Sequence, residues 1–213
     1  MVVIGAKGMA IELVEVLSVE LNLKDDALVF FDNISTDIQN RLFNRFKILR
    51  NFEEVKQHFS DYNNSFSLGL GNPAIRQDMA AKFIELGGEL KSVVSAKAHI
   101  GSFNTRIGKG STIMHGVIVT NNVSIGKGVL INLNSTISHD STVGDFTEIA
   151  SGVVIPGRCK IGERVFIGSN ATLNPDISIG DNAIIGAGAV VIKDVEHNTV
   201  VVGNPAKVIK RNG

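Results

Sequence analysis

The chain has 213 residues, 44% of them hydrophobic, with 21 basic and 21 acidic side chains. That length holds one or two domains with substantial cores, and the charge balance gives no reason to expect nucleic acid or an anionic membrane as a partner. A single cysteine, Cys159, excludes an internal disulfide framework; no stretch approaches 18 apolar residues or has the makeup of a cleaved leader, so the expected setting is the cytoplasm.

Residues 1–92 alternate strand and helix signals. An aliphatic run from Met1 to Ile4 stops at Gly5-Ala6-Lys7-Gly8, and the spacing of Ile11, Val14, Leu17 and Leu21 predicts a helix with those four on one face. Ala27 to Phe31 reads as a second strand ending at Asp32-Asn33, and Phe52 to Phe59 as a short helix. Ser65 to Leu70 reads as a third strand ending at Gly71-Asn72-Pro73, and Ala74 to Leu86 as a helix closed by Gly87-Gly88. The alternation predicts a small parallel α/β unit. A glycine loop between strand and helix lets backbone N–H groups cradle phosphate, and an acid closing the second strand can meet a ribose hydroxyl. The Gly5 loop and Asp32 fit those roles. Ala10 stands where a third glycine could sit, and a loop that only packs helix on strand fits equally well.

From about residue 93 the chain keeps a six-residue beat. Every sixth residue from Ile107 to Val191 is aliphatic, a run of fifteen that chance would give on the order of once in 10⁵ at this composition. The residues four further on, Ser111, Val117, Cys159 and Ala183 among them, are small or β-branched, as a confined inward position requires; Cys159 therefore reads as a packed thiol. Aliphatic-glycine pairs recur every 18 residues at Ile107, Ile125, Val143, Ile161 and Ile179, so three units make one turn. Short flat strands joined by tight corners and stacked coil on coil form a solenoid of triangular cross-section, each coil burying its aliphatic residue against its neighbours.

The repeat resembles the hexapeptide-repeat acyltransferases, whose solenoid is a left-handed parallel β-helix. An α/β domain placed before it is similar to the bacterial sugar acetyltransferases, which include UDP-4-amino-sugar N-acetyltransferases and sialic acid O-acetyltransferases. The likeness runs through Ile4 to Gly8, Phe31-Asp32-Asn33, Gly69-Leu70-Gly71-Asn72, Ser138-His139-Asp140 and Gly203 to Lys207. It implies a Rossmann-like domain over residues 1–92 that holds a nucleotide-sugar, and a β-helix acetyltransferase domain over residues 93–213. The reaction it implies is N-acetylation of a UDP- or dTDP-linked 4-amino-4,6-dideoxy sugar by acetyl-CoA, without metal, for surface glycan synthesis. The enzyme would be a homotrimer with active sites between subunits. By the same resemblance Gly5, Lys7, Gly8 and Met9 would line the phosphates or sugar, Asp32 and Asn33 the uridine, and Gly71 and Asn132 the neighbouring sugar wall. Gly157, Ser169 and Ala187 would let the CoA pantetheine approach the backbone, with Glu148 where some members carry a CoA-contacting histidine. Met9 replaces the family's usual histidine after Gly8, which leaves the sugar and nucleotide open.

Among five histidines, His139 is set apart by its place. It stands beside the corner at Val143-Gly144, with Asn121 one coil before it and Gly157 one coil after, so a bulky titratable ring faces a glycine gap. The family's general base is a histidine followed by an acid, and His139-Asp140 matches. Imidazole suits proton removal from an attacking amine at cytosolic pH. Neighbours on a strand point to opposite sides, so Asp140 can orient the ring only if the corner turns it back. The same scaffold and base would serve a sialic acid O-acetyltransferase, and a nucleotide-sugar-binding scaffold without catalysis is a further alternative. A zinc carbonic anhydrase needs three converging histidines; His115 and His139, 24 residues apart, fall on different faces and no third stacks with either.

Overall fold

The computed structural model describes residues 1–211. Strands β1 (Val2–Ile4), β2 (Val29–Phe31), β3 (Arg41–Leu42), β4 (Phe46–Leu49), β5 (Ser65–Leu68) and β6 (Glu89–Leu90) form one sheet in the order β3-β4-β2-β1-β5-β6. Pairing is parallel except in the β3–β4 hairpin. All residues of β1 and β2 are buried, which is why they read as unbroken apolar runs. Helices α1 (Met9–Val14), α2 (Phe52–Asp61) and α3 (Pro73–Glu85) follow β1, β4 and β5. Asn51 and Asn72 cap α2 and α3 by accepting from Glu54 N (2.9 Å) and Ile75 N (3.2 Å), and Pro73 starts α3 where its missing N–H costs nothing. The chain leaves β1 for β2 on one side and returns through β5 on the other. The crevice at the ends of β1, β2 and β5 is thus the switch point at which such sheets bind ligands.

The face expected for the first helix is wrong in two of its four members. Ile11 and Leu21 are exposed, and the buried set is Met9, Ala10, Leu13, Val16 and Leu17. After Val14 the helix widens into a π-turn, Glu15–Glu20, which breaks the 3.6-residue period on which the expectation rested. The second strand begins at Val29 because Asp25–Ala27 form a 3₁₀ turn, and the β3–β4 hairpin lies in a stretch where no periodicity marked it.

In the solenoid, a left-handed parallel β-helix, each coil gives a two-residue strand to each of three faces. Strand partners lie 18 residues apart, as in Thr112↔Leu130, Ile118↔Thr136 and Ser124↔Thr142. The aliphatic residue of each strand points inward and its predecessor outward. The core includes Ile113, Val119, Ile131, Ile149, Cys159 and Ile167. Every sixth residue from Asn104 to Gly188 has a left-handed backbone. The fifteen are five Asn, five Gly, two Asp, Phe146, Arg158 and Arg164, mostly the types that tolerate it at the corner. The glycines of the 18-residue period have ordinary φ; a Cβ on Gly144 would stand 2.5 Å from Gly162 C in the next coil. They permit close stacking, not turning.

The first face, which carries Thr112, Leu130 and Glu148 outward, packs on the α/β unit. Leu130 and Met114 join the core beneath α1, and Phe146 joins the aromatic core around Phe31, Phe66 and Phe83. Outward on the second face run His99, Ile118, Thr136, Val154, Thr172 and Val190; on the third, Arg106, Ser124, Thr142, Lys160 and Ser178.

Candidate active site

His139 sits on the corner between the second and third faces, after Thr136–Ile137 and before Thr142–Val143. Its ring lies over Gly157: a Cβ there would meet His139 Cε1 and Nε2 at 2.6 Å, so the glycine is the floor on which the imidazole rests. Asp140 takes the left-handed corner conformation at φ 62°, and this turn brings its carboxylate back to His139 Nδ1 at 2.7 Å. Asp140 also accepts from Asn122 Nδ2, one coil away. The bond to His139, and then that to Asn122, holds the Asp140 carboxyl below the usual aspartate range, so it is ionised at neutral pH. Nδ1 must then carry the proton, leaving the Nε2 lone pair free.

The second group lies in the α/β unit. Gly5 and Lys7 join Asp32, Asn33, Ile34, Leu70, Ile75 and Met79 around a cavity of about 270 Å³ at the sheet's switch point. Gly5 has φ 106°, and a Cβ would stand 2.6 Å from Gly69 O, so only glycine lets the loops close together here. Asp32 accepts from Ile34 N at 3.0 Å and Ser35 N at 2.8 Å, which folds the loop that forms one rim. Those bonds overcome its burial and keep its carboxyl below the usual range. Lys7, expected among phosphates, forms an ion pair with Asp37 across the rim. Exposed Ile34 and Ile75 leave apolar surface open on this cavity, and neither was singled out in the sequence.

The remaining candidates fall into smaller sets. Gly8 begins α1 with nothing near it, and Met9 meets Asn132 (Nδ2 to Sδ 4.0 Å) at the corner between the first and second faces. Ser169 and Ala187 stack on that same corner, where Gly188 N donates to Ser169 O at 2.8 Å. Glu148, outward on the first face, abuts Gly71 (3.2 Å from an added Cβ) and lines a cleft of about 580 Å³ with Asn72, Arg164, Phe166, Asn182 and Ile184. Within one chain, His139 and Gly157 therefore occupy one edge of the second face, and Met9, Asn132, Ser169 and Ala187 the other. Among the described residues no group of three His, Cys, Asp or Glu could hold a metal, and no helix is long and apolar enough to cross a membrane.

Burial raises the Glu148 carboxyl above its usual range against the opposing pull of Arg76. A proton is then held more tightly in the folded chain than in the unfolded one. Its stabilising contribution is present below the ordinary glutamate value of 4.5 and fades as pH rises through the raised one. Glu148→Gln is expected to melt higher than the parent at pH 7.5 and level with it near pH 4. A lower melting temperature at pH 7.5 would show instead that attraction to Arg76 outweighs burial.

Two family models match the solenoid: one described as bacterial transferase hexapeptide (six repeats) over residues 158–193, and one as hexapeptide repeat of succinyl-transferase over residues 100–132. No curated protein sequence matches the chain. Several solved structures match it over 98% of its length. A mutant of perosamine N-acetyltransferase from Caulobacter crescentus, in complex with CoA and GDP-perosamine, aligns at TM-score 0.90 and 23% identity over 96% of that chain. The acetyltransferase domain of PglB from Neisseria gonorrhoeae FA1090 aligns at 0.88 and 27%, and WeeI from Acinetobacter baumannii AYE at 0.87 and 26%, each over 98% of its own length. In repeat, domain order and overall fold, the chain resembles the hexapeptide-repeat sugar acetyltransferases.

Proposed function

We propose that the chain transfers the acetyl group of acetyl-CoA to the amine of a nucleotide-linked amino sugar, with His139 as general base. The observation that carries this is the His139–Asp140 pair on a glycine floor, on a scaffold whose solved relatives include one holding CoA and GDP-perosamine together. Nε2 of His139 takes a proton from the acceptor amine as its nitrogen attacks the thioester carbonyl. Asp140 fixes the ring and stabilises the imidazolium that forms. The Gly157 N–H, which donates to no protein acceptor among the described residues, is free to serve as a donor to the oxyanion. Collapse of the tetrahedral centre forms the amide and expels CoA as thiolate, which takes the proton back from the His139 imidazolium and leaves as the thiol.

The nucleotide belongs in the cavity at Gly5 and Asp32, and the sugar reaches toward Met9 and Asn132. That edge of the second face is remote from the same chain's His139. The exposed Ile118 and Val154, with Thr136 between them, put apolar surface between the two edges, so the site is read as shared between copies that meet along this face, in the trimer the resemblance implies. Ser169 and Ala187 then offer small side chains to the pantetheine.

The reading is tested by thiol release from acetyl-CoA with UDP-, dTDP- and GDP-linked amino sugars and free sialic acid. Turnover on one nucleotide-linked amine is expected, with no release on sialic acid. Turnover on sialic acid alone would make the product an ester and the Gly5 loop a packing feature. Binding of a nucleotide-sugar without turnover on any acceptor would favour the non-catalytic scaffold.

A further inference from the structure

Arg76 is the largest side chain with no exposure to solvent, and no carboxylate accepts a hydrogen bond from it. It lies in the first turn of α3. Nη1 donates to Leu68 O at 3.1 Å and Leu70 O at 2.6 Å; Nε and Nη2 donate to Gly128 O at 3.1 and 3.0 Å; Nη2 also reaches Thr112 Oγ1 at 3.4 Å. Five N–H groups thus meet five acceptor contacts, the full capacity of a guanidinium. Burial pushes its pKa down only to about 10, with Glu148 opposing the shift, so the side chain is charged at neutral pH.

The two sets of acceptors belong to different parts of the molecule. Leu68 and Leu70 flank Gly69 in the loop that leaves β5. Leu70 lines the cavity at Gly5 and Asp32, Gly69 O stands against Gly5, and Gly71 abuts Glu148. Gly128 and Thr112 belong to solenoid coils, and Thr112 Oγ1 is also 3.4 Å from Leu68 O. The charge-assisted bonds that satisfy this buried guanidinium run to both parts of the molecule at once. What the arrangement supplies is a fixed distance between the loop walling the nucleotide cavity and the solenoid.

We propose that Arg76 is a positioning residue. It holds the Leu68–Asn72 loop in register with the solenoid, so that a nucleotide-sugar bound at the cavity presents its amine at the depth of the solenoid corner where acetyl transfer occurs. This rests on the function proposed above. It does not require Arg76 to touch substrate or acetyl-CoA, and it separates the two co-substrates: the acceptor is carried by the loop, whereas acetyl-CoA is carried by the solenoid.

Two variants test it. Arg76→Lys keeps the charge but has three donors for five contacts, and Thr112→Val removes only the solenoid-side hydroxyl at nearly constant volume. For Arg76→Lys, kcat/KM for the nucleotide-sugar is expected to fall by on the order of 10-fold or more, as loss of charge-assisted bonds implies, with KM for acetyl-CoA within about twofold. For Thr112→Val a smaller change in the same direction is expected. Hydrogen exchange supplies a readout that needs no substrate: the Gly69 amide, which donates to Ile4 O at 2.9 Å, should lose protection in Arg76→Lys while those of β1 and the solenoid strands keep theirs. Unchanged exchange in the loop would overturn the proposal. So would equal loss of affinity for both co-substrates, or loss of protection across the whole α/β unit, since each marks a general staple. A parent protein silent on every nucleotide-sugar would count against the proposed reaction, while the exchange result would still decide whether Arg76 holds the loop.

Discussion

His139→Ala is expected to lower kcat at least ~10²-fold while leaving nucleotide-sugar affinity nearly unchanged, the signature of a group that acts on the proton in flight. The ring stands over Gly157 and is exposed on its corner, so its removal leaves the solenoid core untouched. Single-turnover acetyl transfer measured beside equilibrium binding checks both halves. Activity within a few-fold of the parent would remove His139 from the mechanism. The same variant tests the sharing of the site. Ile75→Glu places a charge on the apolar side of the cavity at Gly5 and Asp32, at an exposed position, and under the proposed function it should abolish nucleotide-sugar binding without harming the fold. Each variant alone is expected to be inactive. When the two are unfolded together and reassembled, activity should return, because some interfaces then join an intact His139 to an intact cavity from another chain. A mixture that stays inactive, although mixed oligomers have formed, would place the complete site within one chain.

Gly144→Ala is expected to be strongly destabilising for a single added methyl. Its Cβ would meet Gly162 C at 2.5 Å and Glu163 N at 2.6 Å, backbone atoms held by the ladder bond from Gly144 N to Ile161 O at 2.9 Å. Overpacking of side chains already costs about 1–3 kcal/mol, and here neither coil can yield without breaking the bonds that stack it on the next. A loss above ~3 kcal/mol corresponds to a fall in melting temperature of roughly 10 °C for a chain of this size. Gly188→Ala is the control: its φ is 66° and nothing lies within 4 Å of the added Cβ. Only the left-handed strain, about 1–2 kcal/mol, should appear, a fall of a few degrees. Thermal unfolding followed by circular dichroism separates the two. If Gly188→Ala proved the worse, corner conformation and not coil spacing would govern these glycines.

The linear chain determined the solenoid almost completely. A strict six-residue aliphatic beat fixes which residue of each short strand points inward, and an 18-residue glycine period fixes three strands per coil, because both are local consequences of stacking a repeat on itself. A further regularity lay unread in the same residues: Gly, Asn or Asp at most positions from Asn104 to Gly188 that the corner needs left-handed. That pattern also bears on Asp140, whose place at a left-handed corner is what turns its carboxylate back to the His139 ring. The α/β unit was legible in outline. The buried face of α1 was not, because a π-turn broke the period, and neither was the β3–β4 hairpin, where no alternation marked the strands. Only the tertiary structure decided what lies between the domains. Arg76 reads as an ordinary helix residue until Leu68, Leu70, Gly128 and Thr112 are brought around it. Contacts of that kind depend on how separate segments pack, and no local period in the sequence encodes them.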